Sequence, residues 1–350
     1  MRGGCRGPAL RLLAVSIVAV LAAGCAIQPR DEIRVGVGFG QEHPDRAKHY
    51  AALYLPYAMM ATSAYTDERL SDRHGCPDPG LLLVPGNSKD DKDFAFHRTV
   101  AGWVAYLRTR RWECRLGRFG SLPCPPRLRD CRPLGGLEYH VWRRMDGGCR
   151  EVVIAFRGTD RGDVGDWRSN FRWLHRLRPQ FDQYAQVQAH MVDIVKTMTD
   201  GGCAAPGIAF ASVGHSLGGG LAQQAAYAHP RIRYVYAFDP SPVTGFFDIS
   251  AAIREANTVG LGIDRVYERG EILSLPRQIV MAFYPPASCN PRVRFVRFNV
   301  LMGSPIEQHS MDGLTANFRT LAAEKGASRF HADGHRDARQ CEESPSLPRT

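Results

Sequence analysis

The segment Gly214-His215-Ser216-Leu217-Gly218 gathers at one turn the residue types that acyl transfer requires. A serine hydroxyl is a poor nucleophile until a base takes its proton. The oxyanion formed on attack then needs N–H donors aimed at it. Glycines at both ends permit a strand-to-helix turn too sharp for bulkier neighbours, and such a turn lifts the serine Oγ above the strand ends. The flanking sequence meets that demand. Residues 207–213 form an apolar, strand-like run, residues 217–228 read as a helix, and Gly219 and Gly220 keep the turn crowded but passable. The Leu217 amide is then expected to point at the developing oxyanion. The five-residue pattern is weak by itself, because Gly and Ser are common. Its position between a strand and a helix carries the expectation.

A second segment precedes it. Val152-Val153-Ile154-Ala155-Phe156-Arg157-Gly158-Thr159 resembles the FRGT strand of the class 3 lipases, a family with the α/β-hydrolase fold. The resemblance spans roughly residues 137–325 and reaches the N-terminal third only loosely, through a helix at 49–64. It implies that Thr159 supplies the second oxyanion donor beside Leu217, and that no metal or organic cofactor is required. In α/β-hydrolases the chain order is serine, acid, histidine, which leaves His229, His309, His331 and His335. His229 ends the elbow helix and is too close in sequence to swing back. His331 and His335 are spaced i, i+4 in a polar tail, a solvated pair or a metal pair. His309 follows a strand and opens a helix, and Gln308-His309-Ser310-Met311 resembles the family's HSM-type histidine context, so His309 is the expected base.

For the acid, the resemblance points just past the next-to-last strand, to a D-x-V-x-x-L-P frame. Gly270-Glu271-Ile272-Leu273-Ser274-Leu275-Pro276 fits it with Glu in place of Asp. Glutamate orients an imidazole as well as aspartate when the backbone stands back by one methylene. Asp239, closing the 232–238 strand in Phe238-Asp239-Pro240-Ser241-Pro242, is the competing acid, and both remain open on sequence alone. After FRGT, Asp166–Leu177 carries Trp167, Phe171 and Leu174 at i, i+4, i+7 with Arg168, Arg172 and Arg176 between them. That stretch reads equally as a lid over the site or as a core-packing helix.

The elements that must hold these residues follow from periodicity. Leu137–Trp142, Glu151–Phe156, Gly207–Val213, Ile232–Phe238 and Val293–Val300 read as strands; His49–Ala64, Phe181–Met198, Leu217–Ala228 and Ser310–Ala323 read as helices. Strands alternating with helices predict an α/β fold, a mostly parallel central sheet with helices on both faces. The hydrolase domain is expected over 46–326, with a Cys- and Arg-rich insertion at 75–135 and a polar tail at 327–350. The insertion holds seven prolines, four cysteines and eight arginines from Arg108 to Arg132. It reads as irregular chain pinned by disulfides, or as a cationic face for anionic lipid.

Residues 1–24 read as a secretion signal: Arg2, Arg6 and Arg11 precede the apolar run Leu12–Ala23, too short to span a bilayer. The run ends Leu21-Ala22-Ala23-Gly24-Cys25, which resembles the lipobox of bacterial lipoproteins. That implies acylation of Cys25 and a lipid-anchored protein of the cell envelope, in the periplasm or on the outer membrane; an ordinary cleaved signal is the alternative. Residues 25–45 then serve as a tether, and Gly36-Val37-Gly38-Phe39-Gly40 is too weak an echo of a dinucleotide loop to change that. Of ten cysteines, setting aside Cys5 and Cys25 leaves eight, an even set suited to disulfides in an oxidising compartment. With the signal removed, 45 basic residues become 42 against 35 acidic ones, so the formal charge falls from +10 to +7. Forty of the basic residues are Arg, with no nucleic-acid-binding module around them, and nucleic acid is not an expected partner. The function expected from this pattern is a lipase-like serine carboxylic ester hydrolase acting on lipid acyl esters. A non-catalytic lipid-binding lipoprotein on the same scaffold and an acyltransferase using the same elbow are the rivals.

Overall fold

The computed structural model describes residues 32–36, 44–126, 132–133, 135–159, 181–281 and 290–323. The described strands are β1 (Glu32–Gly36), β2 (Trp112–Arg118), β3 (Tyr139–Met145), β4 (Cys149–Phe156), β5 (Ala209–His215), β6 (Tyr234–Phe238), β7 (Gly262–Glu268) and β8 (Arg292–Asn299). They make one eight-stranded sheet in the order β1-β8-β7-β6-β5-β4-β3-β2. Every neighbouring pair from β1·β8 through β5·β4 is parallel, and β4·β3·β2 closes one edge as an antiparallel meander. Helices α1 (Pro44–Ser63), α2 (Asp91–Thr109), α3 (Gln183–Thr199), α4 (Leu217–Ala228), α5 (Ala251–Thr258), α6 (Ser274–Met281) and α7 (Met311–Ala323) surround it.

Two cores follow from the two-residue period of the strands. Val153, Ala155, Val213, Tyr236, Phe238 and Val296 face one layer, where they pack with α1, α2 and α7. Val152, Ile154, Phe156, Phe210, Val235 and Ile263 face the other, against α3 and α4. Because both faces are covered, the central strands are apolar throughout rather than alternating. This is the α/β class expected from the sequence. The charged residues that do enter these strands are paired: Asp264 on β7 accepts from Arg294 Nε on β8 at 2.6 Å and from the Tyr54 hydroxyl of α1 at 3.0 Å.

Two segments differ from expectation. Residues 32–36, read as tether, form β1 and pair with β8 from Glu32↔Phe295 to Gly36↔Asn299. Within 75–135, read as irregular, α2 is a 19-residue helix capped by Asp90 and β2 is the sheet's edge strand. The disulfide reading is met in part: Cys76–Cys114 ties the loop before α2 to β2, Cys149–Cys203 ties the start of β4 to the loop after α3, and Cys124 is also disulfide-bonded.

Parallel strands aim their carboxyl ends at one edge of the sheet, the usual place for a site in this class of fold. The register aligns Phe156 with Gly214, His215 with Phe238, and Phe238 with Val266. The FRGT end, the Ser216 turn, Asp239 and the segment leading to Glu271 therefore leave the sheet side by side.

Candidate active site

Ser216 occupies the turn between β5 and α4 at φ 56°, ψ −122°. Positive φ at a non-glycine residue is costly and persists only where the surroundings enforce it. Here its N–H donates to Phe238 O at 3.0 Å, while its carbonyl accepts from Gly219 N at 3.0 Å and Ser241 N at 2.8 Å. A Cβ on Gly214 would collide with the Gly218 carbonyl, and one on Gly218 with Phe156 O, so the turn closes only with both glycines. A Cβ on Gly158 would lie 2.5 Å from His215 O. The FRGT backbone thus runs directly against the elbow, and Thr159 emerges half-buried beside it. Leu217 opens α4, so its amide belongs to the helix N-terminus, where backbone N–H groups favour negative charge.

His309 sits in a 3-10 turn, Glu307–His309, between β8 and α7. Its Nε2 is 3.0 Å from Ser216 Oγ, and its Nδ1 is 2.9 Å from Glu271 Oε2. Glu271 is 2% exposed and accepts further from Leu273 N at 2.7 Å and Ser274 Oγ at 3.3 Å. Arg277 Nη2 on α6 lies 2.8 Å from Glu271 Oε1. Burial pushes the Glu271 carboxyl up, but the Arg277 charge and then the His309 hydrogen bond outweigh it and hold the group below its ordinary value. The two loops that carry these residues are joined by Ile272 N donating to Pro305 O at 3.0 Å. Val300 N, at the start of the histidine loop, donates to Glu268 Oε1 at 2.9 Å.

Asp239 is fully buried at φ 37°. Its Oδ1 accepts from Glu268 N at 2.8 Å, and Oδ2 has no hydrogen-bond partner. Burial, and after it the neighbouring Glu271 charge, raises its pKa well above the ordinary value. Of the two acids left open by sequence, Glu271 is the one hydrogen-bonded to His309. Asp239 joins the ends of β6 and β7 through its hydrogen bond.

Three neighbours escaped sequence reasoning. The Tyr65 hydroxyl, just past α1, is 2.9 Å from His215 Nδ1, and the His215 ring is tilted against that of His309 at 4.6 Å. Arg157 of FRGT bonds Glu138 Oε2 at 2.9 Å and Asp67 Oδ1 at 3.3 Å, fastening the strand end to the loop after α1. Arg277 had no local motif to mark it. His229 ends α4 and accepts from Arg231 N at 3.2 Å, apart from the site. The 166–177 stretch, His331, His335, Cys25 and the 1–24 segment lie outside the described residues.

Over residues 128–238 the sequence matches a family described as phospholipase-like, the Tle-like phospholipase domain. That span holds both FRGT and the Ser216 elbow. No curated protein sequence matches the chain. Among solved structures, lipase II from Rhizopus niveus aligns at 18% identity and TM-score 0.35, over 66% of this chain and 76% of its own. An esterase from Pyrobaculum calidifontis aligns at 10% identity and TM-score 0.33, over 70% and 96%. Acetyl xylan esterase 1 from Thermoanaerobacterium sp. JW/SL YS485 aligns at 10% and 0.28, over 59% and 88%.

Proposed function

We propose that the chain is a lipase-like serine carboxylic ester hydrolase working through an acyl-enzyme. The observation that carries this is the relay from Ser216 Oγ to His309 Nε2 at 3.0 Å and from His309 Nδ1 to Glu271 at 2.9 Å, placed on a strained strand–helix turn. His309 takes the Ser216 proton as Oγ adds to the ester carbonyl, and the buried Glu271 carboxylate stabilises the imidazolium. The Leu217 amide and Thr159 bind the oxyanion. His309 then protonates the departing alcohol, and water activated by the same imidazole releases the acid.

A lipid substrate is supported by the rim of the site. Met302 and Ile306 are 90% and 39% exposed on the loop that carries His309, and Leu275, in α6 four residues past Glu271, is 55% exposed. Exposed apolar side chains on the segments that follow the acid and precede the base suit an apolar surface better than a soluble ester. The match to a phospholipase-like domain favours phospholipid acyl esters among lipids. Export and acylation at Cys25 would hold the enzyme at a membrane surface.

The test is a hydrolysis panel of p-nitrophenyl esters of rising chain length, triacylglycerol and phospholipid vesicles, run with and without a fluorophosphonate. The proposal expects hydrolysis that the reagent abolishes by labelling Ser216. An unlabelled serine in folded protein, with no ester cleaved, refutes it.

A further inference from the structure

Behind the Ser216 hydroxyl, three donor side chains arrive from separate strand ends. His215 is the last residue of β5, Asp239 follows β6, and His309 follows β8. One donor atom of each lies within 4.8 Å of the other two; His215 and Asp239 are buried, and the His309 side chain is 8% exposed. Asp239 Oδ2 is the unusual member: fully buried, with no hydrogen-bond partner, while Oδ1 is fixed by Glu268 N. Leaving a polar oxygen unsatisfied in the interior is unfavourable, and such groups call for an explanation. A cation beside it would satisfy the oxygen that the protein leaves bare.

We propose that His215, Asp239 and His309 form an inhibitory site for a transition-metal dication of the zinc type. Two imidazoles and one carboxylate suit zinc and its neighbours, whereas magnesium and calcium favour oxygen-rich sets. Zinc–nitrogen and zinc–oxygen bonds of about 2.0–2.2 Å set tetrahedral donors roughly 3.4 Å apart. The donors must therefore close by up to about 1.4 Å, and His309, on a single 3-10 turn outside the sheet, supplies that movement. With Nε2 on the metal, the Nδ1–H of His309 keeps its bond to Glu271, the second-shell arrangement that zinc-bound histidines use. The His215 Nδ1 keeps Tyr65 in the same way. Metal binding takes the lone pair on Nε2 that deprotonation of Ser216 needs, so the bound and active states exclude one another. The inhibitory half of the inference rests on the proposed hydrolase; the binding half does not.

The experiment titrates chelator-stripped full chain with Zn2+, reading affinity by calorimetry, Co2+ coordination by visible absorption, and fluorophosphonate labelling in parallel. The expected result is one equivalent bound with micromolar or tighter affinity, labelling of Ser216 slowed at least tenfold, and recovery with EDTA. Ser216→Ala should bind zinc as the parent does. Asp239→Asn, isosteric with the carboxyl group but unable to supply a charged ligand, should bind at least tenfold more weakly; His309→Gln, altered outside the sheet, is the second variant should Asp239→Asn fail to fold. No binding up to millimolar Zn2+, or parental affinity in the folded variant, overturns the site. Zinc that binds yet leaves labelling at its metal-free rate overturns the inhibition. Metal binding without any ester hydrolysis or serine labelling counts against the hydrolase reading alone and leaves the site standing.

Discussion

Arg277 engages the oxygen of Glu271 that His309 does not use: Nη2 lies 2.8 Å from Oε1, while Oε2 faces the imidazole at 2.9 Å. The acid is thus an ion pair on one side and a histidine partner on the other. A carboxylate buried this deeply would otherwise tend to take up a proton, and a neutral acid stabilises an imidazolium poorly. The guanidinium is itself anchored, with Nε donating to Pro240 O at 3.0 Å. Arg277 is therefore placed to act through Glu271.

Replacing Arg277 with Met is expected to lower kcat while leaving KM nearly unchanged. Without the guanidinium, burial dominates and the Glu271 carboxyl titrates at higher pH. The acid limb of kcat/KM then moves toward neutrality, so the loss is largest near pH 5 and smallest near pH 8. Breaking a buried ion pair also costs on the order of 3–5 kcal/mol of stability. A pH–rate profile superimposable on the parent's would show that Arg277 has no part in holding the acid ionised.

Removing members of the relay should have unequal effects. Ser216→Ala should abolish fluorophosphonate labelling and reduce ester hydrolysis by about 10^4-fold or more, as for other serine hydrolases. Glu271→Gln keeps shape but not charge, and a loss of roughly 10^3–10^4-fold is expected on the same reasoning. Asp239→Asn should leave most of the rate, because the carboxyl bonded to His309 is that of Glu271, while Asp239 accepts from Glu268 N. If Asp239→Asn were as damaging as Glu271→Gln in folded protein, the assignment of the acid would have to change.

The uneven legibility of the sequence has physical reasons. The elbow and FRGT could be read because their constraints are local: Gly214, Gly218 and Gly158 stand where no Cβ fits. Glu271 and His309 were reachable through chain order and short frames around each. Arg277 was not, because one arginine among forty becomes special only once α6 folds back over the β6 end. β1 has five residues, too few for a period to emerge from a Gly-rich stretch. Helix α2 was legible in principle, since buried Phe96, Val100, Trp103, Val104 and Leu107 recur at helical spacing. The prolines and cysteines on either side drew the segment into an irregular reading.

The apolar rim gives a prediction that separates lipid from soluble substrate. Met302 and Ile306 are exposed on the loop that carries His309, and the Ile306 carbonyl, which accepts from His309 N at 3.1 Å, is kept by a side-chain change. Changing both to Asp places charge where an apolar surface would dock, and should lower hydrolysis of vesicles or emulsions at least tenfold. Hydrolysis of a short p-nitrophenyl ester in free solution should change by less than twofold. Equal losses on both substrates would mean the rim shapes the site itself and not its approach to lipid.

His140 on β3 predicts how the fold responds to acid. It is 1% exposed, neither ring nitrogen has a hydrogen-bond partner, and Phe119 packs edge-on at 5.9 Å. Burial, and after it the Arg157 charge, lowers its pKa from 6.5 to about 3. The unfolded chain therefore binds a proton near pH 6.5 that the folded one refuses until about pH 3. Stability from a neutral His140 is complete above pH 6.5 and drains away as pH falls, at about 1.4 kcal/mol per unit. At pH 4.5 that amounts to a loss of roughly 2–3 kcal/mol. His140→Phe removes this proton while the carboxylates titrate alike in both proteins. Thermal melts from pH 7.5 to 4.5 should show the parent losing on the order of 5 °C more than the variant. Parallel curves across that range would show that His140 takes up its proton without unfolding the chain.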